Sequence, residues 1–186
     1  MTFSILNKKN KVLEIGGNIG RNSLIIASLL ENDKNLVVLE TNNESSKQLE
    51  ENKQLNNFNF KIENSALSKR KLIQKEWITI PSENLINGFH WVNNLISLKE
   101  LNEKYNIIFD TLILDCEGAF YYILLDMPEI LDNIKMIIME NDYLDIKHKE
   151  YVDKILNQNN FKRCYIEPSF YYNIQCSQYF YEIWKR

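Results

Sequence analysis

The chain is short of the residues that folds use for punctuation and metal centres use as ligands: two histidines, three cysteines, three prolines and five glycines among 186 residues. Cys116, Cys164 and Cys176 are odd in number, form no C-x-x-C and have no paired histidine nearby. That argues against a disulfide framework or a zinc site and for reduced thiols in a cytoplasmic protein. No apolar run is long enough to span a bilayer, and the first ten residues lack the basic-then-apolar layout of a signal peptide. No membrane partner is expected. Positive charge is not in excess either: the formal net charge of -3 leaves no electrostatic footprint for nucleic acid. The length suits one well-cored domain over residues 1–186 and is too short for two of ordinary size. Assembly into a homo-oligomer is left open.

Three of the five glycines fall within five residues, in the stretch KVLEIGGNIG at 11–20. Val12-Leu13-Glu14-Ile15 reads as a short apolar strand, Gly16-Gly17-Asn18-Ile19-Gly20 as a turn, and 23–30 as the start of a helix apolar nearly all round. Strand, glycine turn and buried helix open an α/β sheet whose ligand crevice lies at the strand's carboxyl end. Glycine suits the turn because it accepts positive φ and lets backbone approach a ligand. The spacing is not G-x-G-x-x-G, and no Gly-Lys-Ser/Thr follows, so neither a dinucleotide fingerprint nor a phosphate-cradling loop is satisfied. A glycine turn that need not hold phosphate suits a nucleoside-type cofactor without phosphate, and S-adenosylmethionine is the common one.

Further on, strands alternate with helices. Residues 35–40 form a buried strand, and capping-box spacing over 41–44 starts a helix near Asn42 that runs to about Leu55. Residues 58–67 alternate like a half-exposed strand. Residues 69–75 read as a charged connection, 77–80 as a short strand closed by Pro81, 83–94 as a loop and 97–105 as a short helix. A buried strand covers 107–115, an apolar helix 119–125, and Pro128 opens a helical turn or breaks the helix. Residues 135–140 are a further strand and 145–159 a helix with Leu144, His148, Tyr151 and Ile155 on one face. Strands at 161–166 and 178–185 finish the chain, joined by an aromatic loop over 168–172.

Three successive strands end in acids: Glu40, Asp115 with Glu117, and Glu140 with Asp142. In a parallel sheet these ends share one edge, so the acids gather around one crevice. Acids also mark helix N-termini, where the macrodipole favours them, but three in register beside a glycine turn point to a site. Glu40, a little over twenty residues past the turn, is placed to accept hydrogen bonds from ribose hydroxyls. Asn64 or Glu63 is placed to meet an adenine amino group.

In order and spacing, VLEIGGNIG (12–20), VLE (38–40), NSAL (64–67), SLKEL (97–101), DTLILDCEG (110–118) and IIME (137–140) resemble the FkbM-type methyltransferases. The DCEG block is the most specific part, and the match runs from Lys11 to about Asp142. The resemblance implies a single Rossmann-like class I methyltransferase domain with a mostly parallel seven-stranded sheet and an antiparallel final strand. It also implies S-adenosylmethionine as cofactor and, as acceptor, a hydroxyl of a sugar, glycan or related small molecule. Carried onto matching positions, the cofactor-binding set is Glu14, Gly16, Asn18, Gly20, Glu40, Asn64, Ser65 and Asp115. Three departures stand out: Glu14 replaces the usual Asp, Gly17 the usual Ala, and Phe120 the second Glu of E-G-x-E. Only ten residues precede the first strand, where relatives usually carry helices that help to close the site.

Methyl transfer to oxygen needs alignment and removal of the hydroxyl proton. Asp115 and Glu117 are the first candidates for that proton and His90 the other, whereas His148 reads as a packing residue. Asp115, Glu140 and Asp142 are also oxygen ligands that could hold a magnesium ion. The aromatic tail (Phe170, Tyr171, Tyr172, Tyr179, Phe180, Tyr181, Trp184) is read mainly as packing, with Tyr179, Tyr181 and Phe180 distributed over opposite faces by alternation. The alternative from another class is a catalytically degenerate domain that binds cofactor within an assembly, suggested by Phe120 and the short N-terminus. Nucleic-acid methylation is disfavoured by the acidic balance and by the lack of an N/D-P-P-Y/F block after the fourth strand.

Overall fold

The computed structural model describes residues 3–76, 78–169 and 175–186. Its strands and helices, in chain order, are β1 (Val12–Ile15), α1 (Arg21–Leu29), β2 (Leu36–Leu39), α2 (Asn43–Leu55), β3 (Lys61–Glu63), β4 (Ala66–Leu67) and β5 (Leu72–Lys75). Then come β6 (Ile78–Pro81), β7 (His90–Trp91), β8 (Leu95–Ile96), α3 (Leu98–Tyr105), β9 (Thr111–Leu114) and α4 (Phe120–Asp126). The last are β10 (Met136–Glu140), α5 (Ile146–Gln158), β11 (Lys162–Glu167) and β12 (Tyr181–Lys185). Among the described residues, no helix is long and apolar enough to cross a membrane.

Seven strands form one sheet in the order β11-β12-β10-β9-β1-β2-β3. All are parallel except β12, which runs antiparallel to both its neighbours. The central strands VLEI, LVVL, TLIL and MIIM are buried on both faces, which is why they read as continuous apolar runs rather than alternations. One face of the sheet packs Ile26 and Ala27 of α1 and Leu49 of α2. The other packs Leu101 of α3, Leu124 of α4 and Leu156 of α5. From β1 the chain winds outward through β2 and β3, then returns to β9 on the other side of β1. The winding therefore reverses between β1 and β9, and a crevice opens outside the carboxyl ends of the strands there.

Several local expectations need correction. Residues 69–75 are not a charged connection: β5 buries Leu72, Ile73 and Gln74 as the middle strand of a small sheet, β6-β5-β7. One partner, β6, follows directly but the other, β7, lies far along the chain, and four residues are too few for a readable period. His90 and Trp91, expected in a loop, pair with Gln74 and Ile73. The run 58–67 is split: Lys61–Glu63 joins the large sheet, while Ala66 and Leu67 pair with β8. In α2 the cap is Asn42, whose side chain accepts from the N–H groups of Glu44 and Ser45, so the capping box expected from Thr41 is not used. In α5 the buried stripe is Lys149, Val152 and Leu156. His148, Tyr151 and Ile155 form its half-buried flank, and Leu144 is exposed. His148 stacks on Tyr121 with ring centroids 3.8 Å apart, a packing role as expected. Tyr179 lies in a 3-10 turn before β12, so strand alternation does not govern it. Trp77, Phe170, Tyr171 and Tyr172 lie outside the described residues. The three cysteines are free.

Candidate functional site

The turn after β1 is fixed by the fold itself. The N–H groups of Gly16 and Gly17 both donate to the Leu39 carbonyl at the end of β2, at 3.0 Å each. Gly16 has φ +93, and a Cβ there would lie 1.7 Å from the Asp115 carbonyl oxygen. Glycine at this position is therefore required by its positive φ, as expected, and by the β1–β9 contact, which the sequence did not show. Gly20 closes the turn as the left-handed N-cap of α1.

A cavity of about 350 Å³ opens at the carboxyl ends of β1, β2 and β9. Gly16, Asn18, Glu40, Ser65, Asp115 and Glu117 reach its wall. Glu40 is buried, and both its oxygens are engaged: Oε2 accepts from the Asn18 N–H at 2.6 Å, Oε1 from the Asn42 N–H at 2.7 Å. One carboxylate thus ties the glycine turn to the start of α2, and a carboxylate's four lone-pair sites leave room for a ligand. Burial pushes its pKa above the usual range, against the pull of those N–H groups.

Asp115 and Glu117 flank the β9–α4 junction. Neither caps α4, whose N-cap is Ala119 with no side-chain bond, so the helix-terminus explanation does not apply to them. Asp115 is half-buried and its Oδ2 accepts from Asn22 Nδ2 at 3.3 Å. Burial raises its pKa, and the Asn22 bond opposes that. Glu117 stands exposed with φ +51, a left-handed backbone that non-glycine residues seldom adopt. Glu140 and Asp142, at the end of β10, complete the group. One carboxylate oxygen from each of Asp115, Glu140 and Asp142 lies within 4.8 Å of the others. Burial first, and then the charges of Asp115 and Asp142, push Glu140 up to about 8. Burial and the charge of Glu117 push Asp142 to about 8 as well. Glu117 is within hydrogen-bonding reach of Asp142, so a proton held by Asp142 relieves their repulsion.

Other expected residues are placed elsewhere. Glu14 is fully buried beneath α1 rather than on the cavity wall, and both its oxygens lack hydrogen-bond partners. Burial pushes it up to about 8; the neighbouring Ser23 hydroxyl pulls back, and the charges of Asp115 and Glu40 add to the rise. Asn64 spends its amide on the Glu40 carbonyl at 2.8 Å and is not on the wall, nor is Gly20. Glu63 is taken up by Lys104 at 2.6 Å, Tyr105 at 2.8 Å and Ser65 at 2.9 Å, so it is not free for an adenine. His90 is exposed on β7 and does not reach the cavity, so the structure does not bring it to the acids. Phe120, where the FkbM pattern has a glutamate, is buried in the core and off the wall. Sequence reasoning missed Gln74, Glu76 and Thr79, which the small sheet brings to the cavity. No spacing signal connects them to residues 11–20, because β5 and β6 reach the site only through tertiary packing.

The sheet order, the reversal at β1/β9 and the antiparallel β12 define a Rossmann-like class I methyltransferase fold. Solved structures with this fold superpose over nearly the whole chain. A protein of the NADB-Rossmann superfamily from Streptococcus agalactiae matches with TM-score 0.58 at 13% identity, over 98% of this chain and 64% of that one. This chain therefore spans less than two thirds of that protein. An rRNA methylase from Streptococcus thermophilus matches with TM-score 0.59 at 9% identity, over 98% of this chain and 89% of that one. An O-methyltransferase from Bacillus cereus, solved in complex with SAH, matches with TM-score 0.56 at 14% identity, over 95% and 74%. At such identities the likeness is one of fold. No protein-family model and no curated protein sequence matches the chain.

Proposed function

We propose that this protein is an S-adenosylmethionine-dependent methyltransferase whose acceptor is a hydroxyl of a sugar, glycan or related small molecule. The observation that carries the reading is the sign of the cavity at the sheet's switch point. Its wall holds Glu40, Glu76, Asp115 and Glu117 and no lysine, arginine or histidine among the described residues. A phosphate-bearing cofactor would meet like charge there, whereas a cationic, phosphate-free nucleoside fits. The fold's structural neighbours support the same choice, one of them being an O-methyltransferase solved with SAH. The finer assignment, to FkbM-type enzymes and sugar hydroxyls, rests on the resemblance over residues 11–142.

S-adenosylmethionine, when bound, supplies a methyl group on a sulfonium. Glu40 would hold the ribose hydroxyls with its free lone pairs, Asn18 and Gly16 would line the methionine side, and Ser65 the base side. Asp115 or Glu117 takes the acceptor's hydroxyl proton as the new O–C bond forms. Their environment suits this, because burial raises the pKa of each above its ordinary range and so makes each carboxylate a stronger base. Magnesium has only the mutual approach of Asp115, Glu140 and Asp142 in its favour.

The first test is calorimetric titration with S-adenosylmethionine and S-adenosylhomocysteine. Labelled methyl transfer to a panel of free sugars, glycosides and glycans follows. Micromolar binding with turnover supports the proposal. Binding without turnover on any acceptor favours the non-catalytic reading, and absence of binding refutes both.

A further inference from the structure

Asn18, Glu40 and Ser65 mark the part of the cavity given to the cofactor; another part of its wall has a different character. Ala66 and Leu67 of β4, Leu72 of β5, and Ala119 and Ile123 after the β9–α4 junction make it apolar. Leu67, Leu72 and Ile123 are otherwise buried. All of these except Ala66, together with Thr79, also line an adjoining pocket of about 20 Å³, to which Pro81 and Tyr122 add the far wall. Cavity and pocket thus form one apolar trough between α4 and the small sheet. Polar groups beside it are already engaged. The Ser68 hydroxyl donates to the Arg70 carbonyl and accepts from the Arg70 N–H, both at 3.0 Å, and Gln74 Nε2 donates to the Glu76 carbonyl at 3.3 Å.

We propose that the acceptor carries a short alkyl group near the hydroxyl that is methylated, and that this trough holds it. The inference rests on the methyltransferase reading of the cavity. Ala119 follows Glu117 by two residues on the same wall. Two residues span at most about 7 Å, so an acceptor of sugar size reaches both. A sugar ring laid in the trough would bury hydroxyls with few partners, which costs more than leaving them in water, whereas methylenes gain by entering it. The ring itself stays toward Glu76 and Glu117, whose carboxylates accept from its hydroxyls. An alkyl chain suits the trough better than an aromatic ring, because the adjoining pocket has room for about one water-sized group.

The test titrates the full chain with methyl, propyl, pentyl and heptyl glucosides by calorimetry, each below its micelle-forming concentration. Each titration is run with and without saturating S-adenosylhomocysteine. Affinity should rise about three- to fourfold per methylene over the first few carbons, then level off where the chain leaves the trough for solvent. The variant Ala119→Leu fills the trough, and the helical backbone there (φ -60, ψ -25) accepts a leucine. In it the gain per methylene should vanish, with a melting scan to show that the variant is folded. Thr79→Leu fills the trough from the opposite wall and takes its place if it is not. Binding of no glucoside, equal binding of all four, or an undiminished gain in the filled variant overturns the proposal. So does a gain that S-adenosylhomocysteine abolishes, because the cofactor then occupies the trough itself. Failure of S-adenosylhomocysteine to bind, with the gain intact, refutes the cofactor reading alone.

Discussion

Replacing Gly16 by alanine should unfold this protein more readily than any other single-methyl addition in the glycine turn. Two separate costs apply. The backbone sits at φ +93, which penalises an L-side chain by about 1–2 kcal/mol. The added Cβ would also lie 1.7 Å from the Asp115 carbonyl oxygen. Real Cβ contacts do not approach that closely, so β1 and β9 must separate locally. That separation strains the Asp115 N–H to Ile15 carbonyl bond, now 3.0 Å, and overpacking of this kind costs about 1–3 kcal/mol more. The total of about 2–5 kcal/mol is a large share of the 5–15 kcal/mol that holds a typical domain together. At about 2–4 °C per kcal/mol for a chain of this size, melting should fall by roughly 4–20 °C. Gly88→Ala is the internal control. It shares a positive φ of +83, but its nearest neighbour is the Lys75 side chain at 3.8 Å, so only the conformational cost applies. Differential scanning calorimetry of the two variants separates collision from φ. If Gly16→Ala melts no lower than Gly88→Ala, the β1–β9 contact is not what requires glycine, and the ligand explanation returns.

Four further outcomes are expected. Glu14, raised to about 8 from an ordinary 4.5, binds its proton more tightly folded than unfolded. It therefore costs stability progressively as pH rises from about 4.5 to about 8, and Glu14→Gln should flatten that part of the melting-temperature profile and melt higher at pH 8; superimposable profiles refute the shift. Lys149 is buried between Asp153 and the fully buried Glu182, so Lys149→Met should cost about 3 kcal/mol in urea unfolding, and adding Glu182→Gln should recover part of it. Glu40→Ala should weaken S-adenosylhomocysteine binding by about ten- to a hundredfold, as expected for lost charge-assisted hydrogen bonds; unchanged calorimetric affinity would remove Glu40 from the cofactor site. Asp115→Asn or Glu117→Gln should lower methyl transfer about a hundred- to ten-thousand-fold while cofactor affinity changes far less. If both turn over like wild type, the strand-end acids are structural.

Some of this was legible in the chain alone because the signals are local. The runs VLEI, LVVL, TLIL and MIIM are apolar because both faces are covered, and the acids after them must share an edge once those strands are parallel. Lys149 shows where local reading stops: a lysine side chain by itself suggests a solvated position, and only Asp153 together with Glu182 on a distant strand explains its burial. The small sheet was missed for a similar reason, since β5 offers four residues without a readable period and finds its partners up to eighteen residues later. Tertiary structure also decided what each acid is free to do. Glu63 is consumed by Lys104 and Tyr105, Glu14 is sealed beneath α1, and Asn64 holds the Glu40 carbonyl, although spacing made all three look available. The sequence determined which residue types gather at the sheet's carboxyl edge, because the acids directly follow the apolar runs that become its parallel strands. Which of them keep an open lone pair toward the cavity depends on partners brought together from across the chain, and that is a property of packing alone.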